Sequence, residues 1–203
     1  MGDFIVYANG DPVIIDAGSG TYTARTFSSH RYDLWFNTSA YHNLPVINGF
    51  QQKDGRQYAA EAVQYQHSGG RSSLVMDLAK AYPAGAGVQS WQRTVQIDKA
   101  AGITVSDRFA MTRPLESLTQ SFMTVCHVEL MKGGRVQFET DSHEKVQLNY
   151  DSAFWDATVE KIDYAIPEDE GVRQHWDGKT LYRVLLKAKK LPSKTTIQYS
   201  IHL

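Results

Sequence analysis

Asp16 and His42 are the two residues near the start of the chain whose side chains could do chemistry together. A carboxylate oxygen and a neutral imidazole nitrogen are both good zinc ligands, although a zinc site usually has at least three protein ligands. Isolated Asp and His residues also serve as turn residues, helix caps or hydrogen-bond partners. The residue types alone therefore leave both a metal site and a structural role open.

A β-hairpin is predicted to position Asp16. Residues 4–7 and 13–15 are β-branched and aromatic runs on either side of Asn9-Gly10, the dipeptide that best tolerates the positive φ angles of a tight hairpin turn. Asp16 ends the second run, and the Ala-Gly-Ser-Gly that follows cannot continue a regular strand well. The acid is expected where a rigid sheet gives way to a loop, which is a common place for functional residues.

The rest of the chain has the patterning of an all-β protein, because apolar residues recur with period two and glycine-rich turns separate the runs. This pattern predicts a two-sheet antiparallel β-sandwich, with residues 1–203 forming a single domain. The predicted strands are 58–66, 90–97, 103–109, 118–130, 136–140, 146–150, 157–164, 181–187 and 195–201.

Two segments and three tryptophans carry further expectations. In residues 32–40 the apolar positions do not alternate, so a short helical turn is as plausible as a strand. The acidic run 168–170 is expected to be a solvated loop. Trp35, Trp91 and Trp155 are expected in the core, because large aromatic side chains are usually buried.

Composition excludes some function classes. A formal net charge of -1 gives no reason to expect nucleic-acid binding or attraction to an acidic membrane. No apolar run is long enough to predict a membrane span. Cys126 is the single cysteine, so no internal disulfide can form, and burial is its expected fate.

The motifs then point to a known family. The runs DFIVYANGDPVIIDAGSGTY, RY-x-x-W-F and S-A-Y-H-N-L-P-x-I-N-G resemble the opening of the β-sandwich region of heparinase II/III-like polysaccharide lyases. The later WQRTVQID, VSDRF and LYRVLL segments fit the same region. The resemblance implies a supersandwich-like fold and a periplasmic or secreted bacterial enzyme. Because an α-helical toroid and an H-N-D-type motif precede this region in the family, the chain is expected to be the C-terminal fragment of a longer lyase.

The resemblance also implies a zinc site. In the family, an acid after the hydrophobic strand and a histidine in the later motif bind zinc, and Asp16 and His42 match these two. The third ligand, a histidine of the H-N-D region, has no counterpart in this chain. Zinc is therefore expected in the parent enzyme, with the site absent or incompletely ligated in this fragment.

The implied reaction is β-elimination of a polysaccharide that contains uronic acid, such as a glycosaminoglycan or alginate. A base removes the proton at C5 and an acid protonates the leaving oxygen at C4. In the family the principal tyrosine and a charge-neutralising asparagine or histidine come from the helical domain. This chain is expected to supply the other cleft wall, with Arg31 pairing with a uronate and a sugar packing on Tyr22. Tyr22 and Tyr32 are the catalytic candidates here, although surface or structural roles remain open for all three residues.

A second hypothesis assigns no chemistry to the chain. A noncatalytic carbohydrate-binding or scaffolding β-sandwich could have the same architecture. An upstream helical toroid facing Asp16 and His42 would favour the lyase, and its absence would favour the module. In both cases the isolated chain is expected to show no appreciable turnover.

Overall fold

The computed structural model describes all 203 residues and contains fourteen strands, one α-helix and six short 3-10 helices. The strands are β1 Val6–Ala8, β2 Asp11–Ile14, β3 Pro45–Ile47, β4 Glu61–Ser68, β5 Arg71–Asp77, β6 Val88–Asp98, β7 Gly102–Met111, β8 Leu118–Thr124, β9 His127–Met131, β10 Arg135–Glu139, β11 Lys145–Asn149, β12 Trp155–Lys161, β13 Tyr182–Ala188 and β14 Lys194–His202. The helix α1 is Asp169–His175, and the 3-10 helices are Ala24–Phe27, Arg31–Asp33, Trp35–Asn37, Ser39–Tyr41, Ala79–Ala81 and Ala84–Ala86.

The strands form three antiparallel sheets. The largest has eight strands in the order β4-β5-β6-β7-β14-β11-β10-β9, the second has four in the order β12-β13-β8-β3, and β1-β2 is a separate hairpin. None of the helices has the length and apolar character needed to span a lipid bilayer. The prediction of an all-β sandwich is confirmed.

The two larger sheets pack face to face through aromatic side chains. Tyr199 of β14 lies between Phe122 of β8 and Trp155 of β12, with ring centroids 5.4 Å and 5.8 Å away. All three rings are buried in one hydrophobic cluster that also includes Trp91. Burial of each such side chain contributes about 1.5–3 kcal/mol to folding. Trp91 and Trp155 are therefore core residues as expected, whereas Trp35 is only partly buried.

The strand β8 is buried on both faces. Phe122 points into the main core, whereas Met123 joins a second cluster with Leu34 and Val172. That cluster covers the outer face of the four-stranded sheet with the 3-10 segment and α1. Because the bend after β8 is formed by Val125 and Cys126, no glycine, proline, asparagine or aspartate marks it in the sequence. The single strand predicted for 118–130 is therefore wrong, and two strands, β8 and β9, occupy it.

The acidic run also departs from expectation. Glu168 and Asp169 are buried, and Asp169 begins α1. Its carboxylate accepts hydrogen bonds from the indole Nε1 of Trp35 at 2.7 Å and from the backbone N–H groups of Ala165 and Ile166. A buried carboxylate is tolerated when such donors replace water. The prediction of a solvated loop is wrong for these two residues.

Candidate functional site

The β1–β2 hairpin places two carboxylates side by side. Asn9 and Gly10 have φ angles of 50° and 94°, as the predicted turn requires. Val6 pairs with Ile14, so the residues just outside this pair lie at the open end of the hairpin. Asp3 and Asp16 both lie there. Sequence reasoning missed Asp3, although the predicted hairpin register was the signal that could have found it.

His42 completes a cluster with these two acids. Its Nδ1 lies 2.9 Å from Oδ2 of Asp16 and 3.4 Å from Oδ2 of Asp3. One ligand atom from each of the three residues lies within 4.8 Å of the other two. The His42 and Asp3 side chains are each 23% exposed, and that of Asp16 is 42% exposed. The structure thus brings Asp16 and His42 together and adds a third candidate ligand.

The cluster is strongly polarised in the metal-free protein. Burial disfavours the His42 cation, but hydrogen bonds and charge from Asp16 and Asp3 outweigh burial and raise the pKa of His42 to about 9. The hydrogen bond from His42 lowers the pKa of Asp16 to about 2, with a further contribution from the backbone N–H of Gly18. At neutral pH the metal-free cluster is therefore an imidazolium held by carboxylates.

Asn43 fixes the backbone on both sides of the cluster. Its side chain is fully buried, and its Nδ2 donates to the carbonyls of Phe4 at 2.8 Å and Ile15 at 3.0 Å. Its Oδ1 accepts from the backbone N–H of Met123. The backbone N–H of Asn43 donates to Oδ1 of Asp3 at 2.8 Å. One asparagine therefore ties the neighbours of all three candidate ligands together.

The cluster opens into a pocket of about 420 Å³, in which Tyr32 lies on the wall. The remaining lining is mostly polar: Met1, Asn37, Thr38, Ser39, Leu44, Gln51, Gln52, Lys53 and Asp54. Such a lining suits a hydrated, hydroxyl-rich ligand better than an apolar one.

Tyr22 and Arg31 lie outside this pocket. Tyr22 is 69% exposed and its ring packs edge-on against that of Phe27, which is also exposed, with ring centroids 5.7 Å apart. Arg31 is exposed, begins a 3-10 helix and makes no ion pair in the structure. Of the three predicted wall residues, only Tyr32 shares the pocket with Asp16 and His42.

The donor set fits a zinc ion. One imidazole nitrogen and two carboxylate oxygens are ligand types that zinc accepts, and three protein ligands are the number found where one position stays open. The third candidate ligand that sequence analysis lacked is Asp3 rather than a histidine. The same carboxylates that hold the imidazolium would hold the metal after His42 loses its proton.

Known structures share this fold. The chain superposes on a mutant of the heparan sulfate lyase HepC from Pedobacter heparinus with a TM-score of 0.72 at 15% identity, over 99% of this chain and 30% of that one. For the heparinase III BT4657 gene product the TM-score is 0.67 at 13% identity, over 98% and 29%. For a further heparinase III it is 0.62 at 16%, over 98% and 28%. The chain thus spans less than a third of these proteins.

Sequence comparison identifies the family. No curated protein sequence matches the chain significantly. The family model described as "Heparinase II/III-like, C-terminal" matches residues 1–176, which is most of the chain. The hairpin, the Tyr41-His42-Asn43 turn and the strands β3 to β12 lie in this range, whereas β13 and β14 lie beyond it. The chain therefore belongs to the heparinase II/III-like C-terminal family.

Proposed function

We propose that this chain forms the β-sandwich wall of the substrate cleft in a lyase that breaks uronic-acid-containing polysaccharides by β-elimination. The observation that carries the proposal is the convergence of Asp3, Asp16 and His42 on one polar pocket in a chain of this family. Similar folds occur in a heparan sulfate lyase and in heparinases III. An acidic glycosaminoglycan or alginate is therefore the substrate class we favour.

We further propose that Asp3, Asp16 and His42 hold zinc. Elimination needs no hydrolytic water, so the metal would supply positive charge and a cross-link between the hairpin and the Tyr41-His42-Asn43 turn. Metal-binding energy of this kind contributes directly to local order. Hydrogen bonds from His42 and from the backbone of Asn43 already join this turn to the hairpin end. The metal would strengthen this connection at both ends of the segment that carries Tyr32, and so would keep Tyr32 at its place on the pocket wall.

The other residues of this wall act on the polymer. Arg31 has a guanidinium without a carboxylate partner in the chain, which suits bidentate pairing with a uronate. The exposed Tyr22 and Phe27 rings offer an apolar face for a sugar ring. Tyr32 is the tyrosine of this chain best placed to donate or accept a proton, because it is the one tyrosine that lines the pocket with the ligand cluster.

The rest of the enzyme would supply the opposite wall. The related structures are more than three times as long as this chain, so there is room for a helical domain that carries the principal proton-transfer groups. We propose a periplasmic or secreted location for the complete protein, because a polymer of this size is degraded outside the cytoplasm.

The test compares this 203-residue chain with the complete product of its gene. Lyase activity is followed as the rise in ultraviolet absorbance from the unsaturated uronate, on heparan sulfate, chondroitin and alginate. We expect turnover by the complete protein and none by the chain alone. Metal content by elemental analysis should show zinc in both, lost in Asp16→Asn and His42→Gln.

Arg31→Ala should weaken binding of acidic oligosaccharides, whereas Arg135→Ala, an exposed arginine of β10, is the matched control. Oligosaccharide binding without turnover by the complete protein would favour the noncatalytic carbohydrate-binding module instead. Robust turnover by the chain alone would refute the two-wall arrangement and move the chemistry to Tyr22 or Tyr32.

A further inference from the structure

Arg93 and Asp107 form an ion pair in the interior of the sandwich. They are register partners on the adjacent strands β6 and β7, and both side chains are 0% exposed. The contact is bidentate: Nε of Arg93 donates to Oδ1 of Asp107 at 2.8 Å, and Nη2 donates to Oδ2 at 2.7 Å. Desolvation cancels much of the attraction in such a pair, so net stabilisation of the fold is a weak reason for its presence.

The remaining donors of Arg93 bind Gln120 and two backbone carbonyls next to the candidate metal cluster. Its Nη1 donates to the carbonyl of Gly2 at 3.1 Å and to the carbonyl of Asn43 at 3.0 Å. Its Nη2 also donates to Oε1 of Gln120 at 2.9 Å. Together with the bonds to Asp107, these contacts use all five N–H groups of the guanidinium.

The two carbonyls have a specific place in the chain. Gly2 directly precedes Asp3, and Asn43 directly follows His42. One nitrogen atom of Arg93 therefore holds together the backbone next to two of the three candidate ligands. We propose that Arg93, oriented by Asp107, is a positioning residue that sets the separation of Asp3 and His42 for metal binding. This inference rests on the proposed zinc site and assigns Arg93 no contact with metal or substrate.

These contacts depend on the planar guanidinium of Arg93, which has five N–H donors in a fixed geometry. A lysine at position 93 would keep the positive charge opposite Asp107 but offers three donors on a flexible stem. It cannot bind the carboxylate in bidentate fashion and also reach both carbonyls. The charge-conserving Arg93→Lys variant therefore separates positioning from simple charge pairing.

The experiment measures zinc affinity of the whole chain by competition with a chromophoric chelator. Arg93→Lys should weaken zinc binding about tenfold or more, which is the usual effect of removing a group that orients metal ligands. The absorption spectrum of the cobalt-substituted protein should shift as well, since it reports ligand geometry. The double variant Arg93→Met/Asp107→Leu removes the pair without leaving a buried unpaired charge, and should show the same loss.

The control is Arg71→Met/Asp98→Leu, which removes an exposed ion pair between β5 and β6 in the same sheet. It should leave zinc affinity and the cobalt spectrum unchanged. If Arg93→Lys and the double variant both fold and bind zinc as the wild type does, the positioning role is refuted. A double variant that fails to fold leaves Arg93→Lys to decide.

A readout in metal-free protein separates this inference from the zinc proposal. The ring N–H resonance of His42 in nitrogen-15-labelled protein reports its hydrogen bonds to Asp16 and Asp3. If the wild type binds no zinc, the zinc assignment fails, and Arg93→Lys should still move this resonance. An unmoved resonance would refute positioning by Arg93 whether or not zinc binds.

Discussion

Nδ1 of His42 lies 2.9 Å from Oδ2 of Asp16, although the two residues are 26 positions apart in the chain. The contact joins the exit of the β1–β2 hairpin to the turn before β3. Between them run four short 3-10 helices rather than a strand or a long helix. The order of this segment depends on the contact between its two ends and on the packing of Leu34 and Trp35 against the sandwich, and consequences of these contacts can be measured.

The stability of the metal-free chain should depend on the protonation of His42. Its folded-state pKa of about 9 exceeds the ordinary value of 6.5, so its contribution is complete below about pH 6.5 and is lost as the pH rises towards 9. Melting temperatures measured across this range after chelator treatment should fall more steeply for the wild type than for His42→Gln. Parallel curves would contradict the expectation.

Low pH should also weaken the pair of Asp16 and His42, because it protonates Asp16. The pKa of Asp16 is lowered from 3.8 to about 2, so its contribution is complete above about pH 4 and is lost as the pH falls towards 2. Asp16→Asn should therefore lose less stability than the wild type between pH 4 and 2. Urea unfolding at fixed pH values tests this, and an identical acid dependence in both proteins would be evidence against the pair.

Zinc should compete with the proton on His42. Because zinc requires a neutral imidazole, apparent zinc affinity should rise about tenfold for each pH unit from pH 6 to 8, below the raised pKa. Calorimetric titrations in buffers of different ionisation enthalpy should show about one proton released per zinc bound at pH 7. An affinity that does not change over this range would contradict the displacement of a proton from His42 by zinc.

Removal of the Asn43 side chain should destabilise the protein and the candidate site together. Asn43→Ala leaves the carbonyls of Phe4 and Ile15 and the N–H of Met123 without their partner, at a cost of about 3 kcal/mol or more. Asn37→Ala, which removes one hydrogen bond to a carbonyl, should cost less than about 1 kcal/mol. Urea denaturation measures both. Equal effects would show that the Asn43 contacts are not specific.

Asp169 should stabilise the run of 3-10 helices that carries Tyr32, because it accepts a hydrogen bond from Trp35 in the same run. Asp169→Asn places an NH₂ group against donors that now face a carboxylate, which should cost about 1–3 kcal/mol and change the Trp35 environment. Glu170→Gln removes only an exposed pair with Arg173 and should cost less than about 1 kcal/mol. Chemical denaturation followed by tryptophan fluorescence distinguishes them; a negligible effect of Asp169→Asn would contradict the buried-acceptor role.

The sequence by itself determined the local features of this protein. The Asn9-Gly10 turn, the alternating strands and the sandwich class follow from backbone preferences and side-chain period, which depend on near neighbours. The hairpin and the motif around His42 were also enough to propose that Asp16 and His42 meet. Counting outward from the Asn9-Gly10 turn places Asp3 near Asp16 and could have added it, although a register shift between Val6 and Tyr7 moves the actual pairing by one residue.

Only the tertiary structure decided which partners compensate the buried charged residues. Arg93 shares the strand phase of Trp91 and Val95, so period two places it on the inward face, but its hydrogen-bond partners come from another strand and from the turn after His42. Likewise the run containing Asp169 reads as a surface loop until Trp35, 134 positions earlier, covers it. The cost of burying a charge depends on donors and acceptors that distant segments bring close, and the local pattern does not identify those partners.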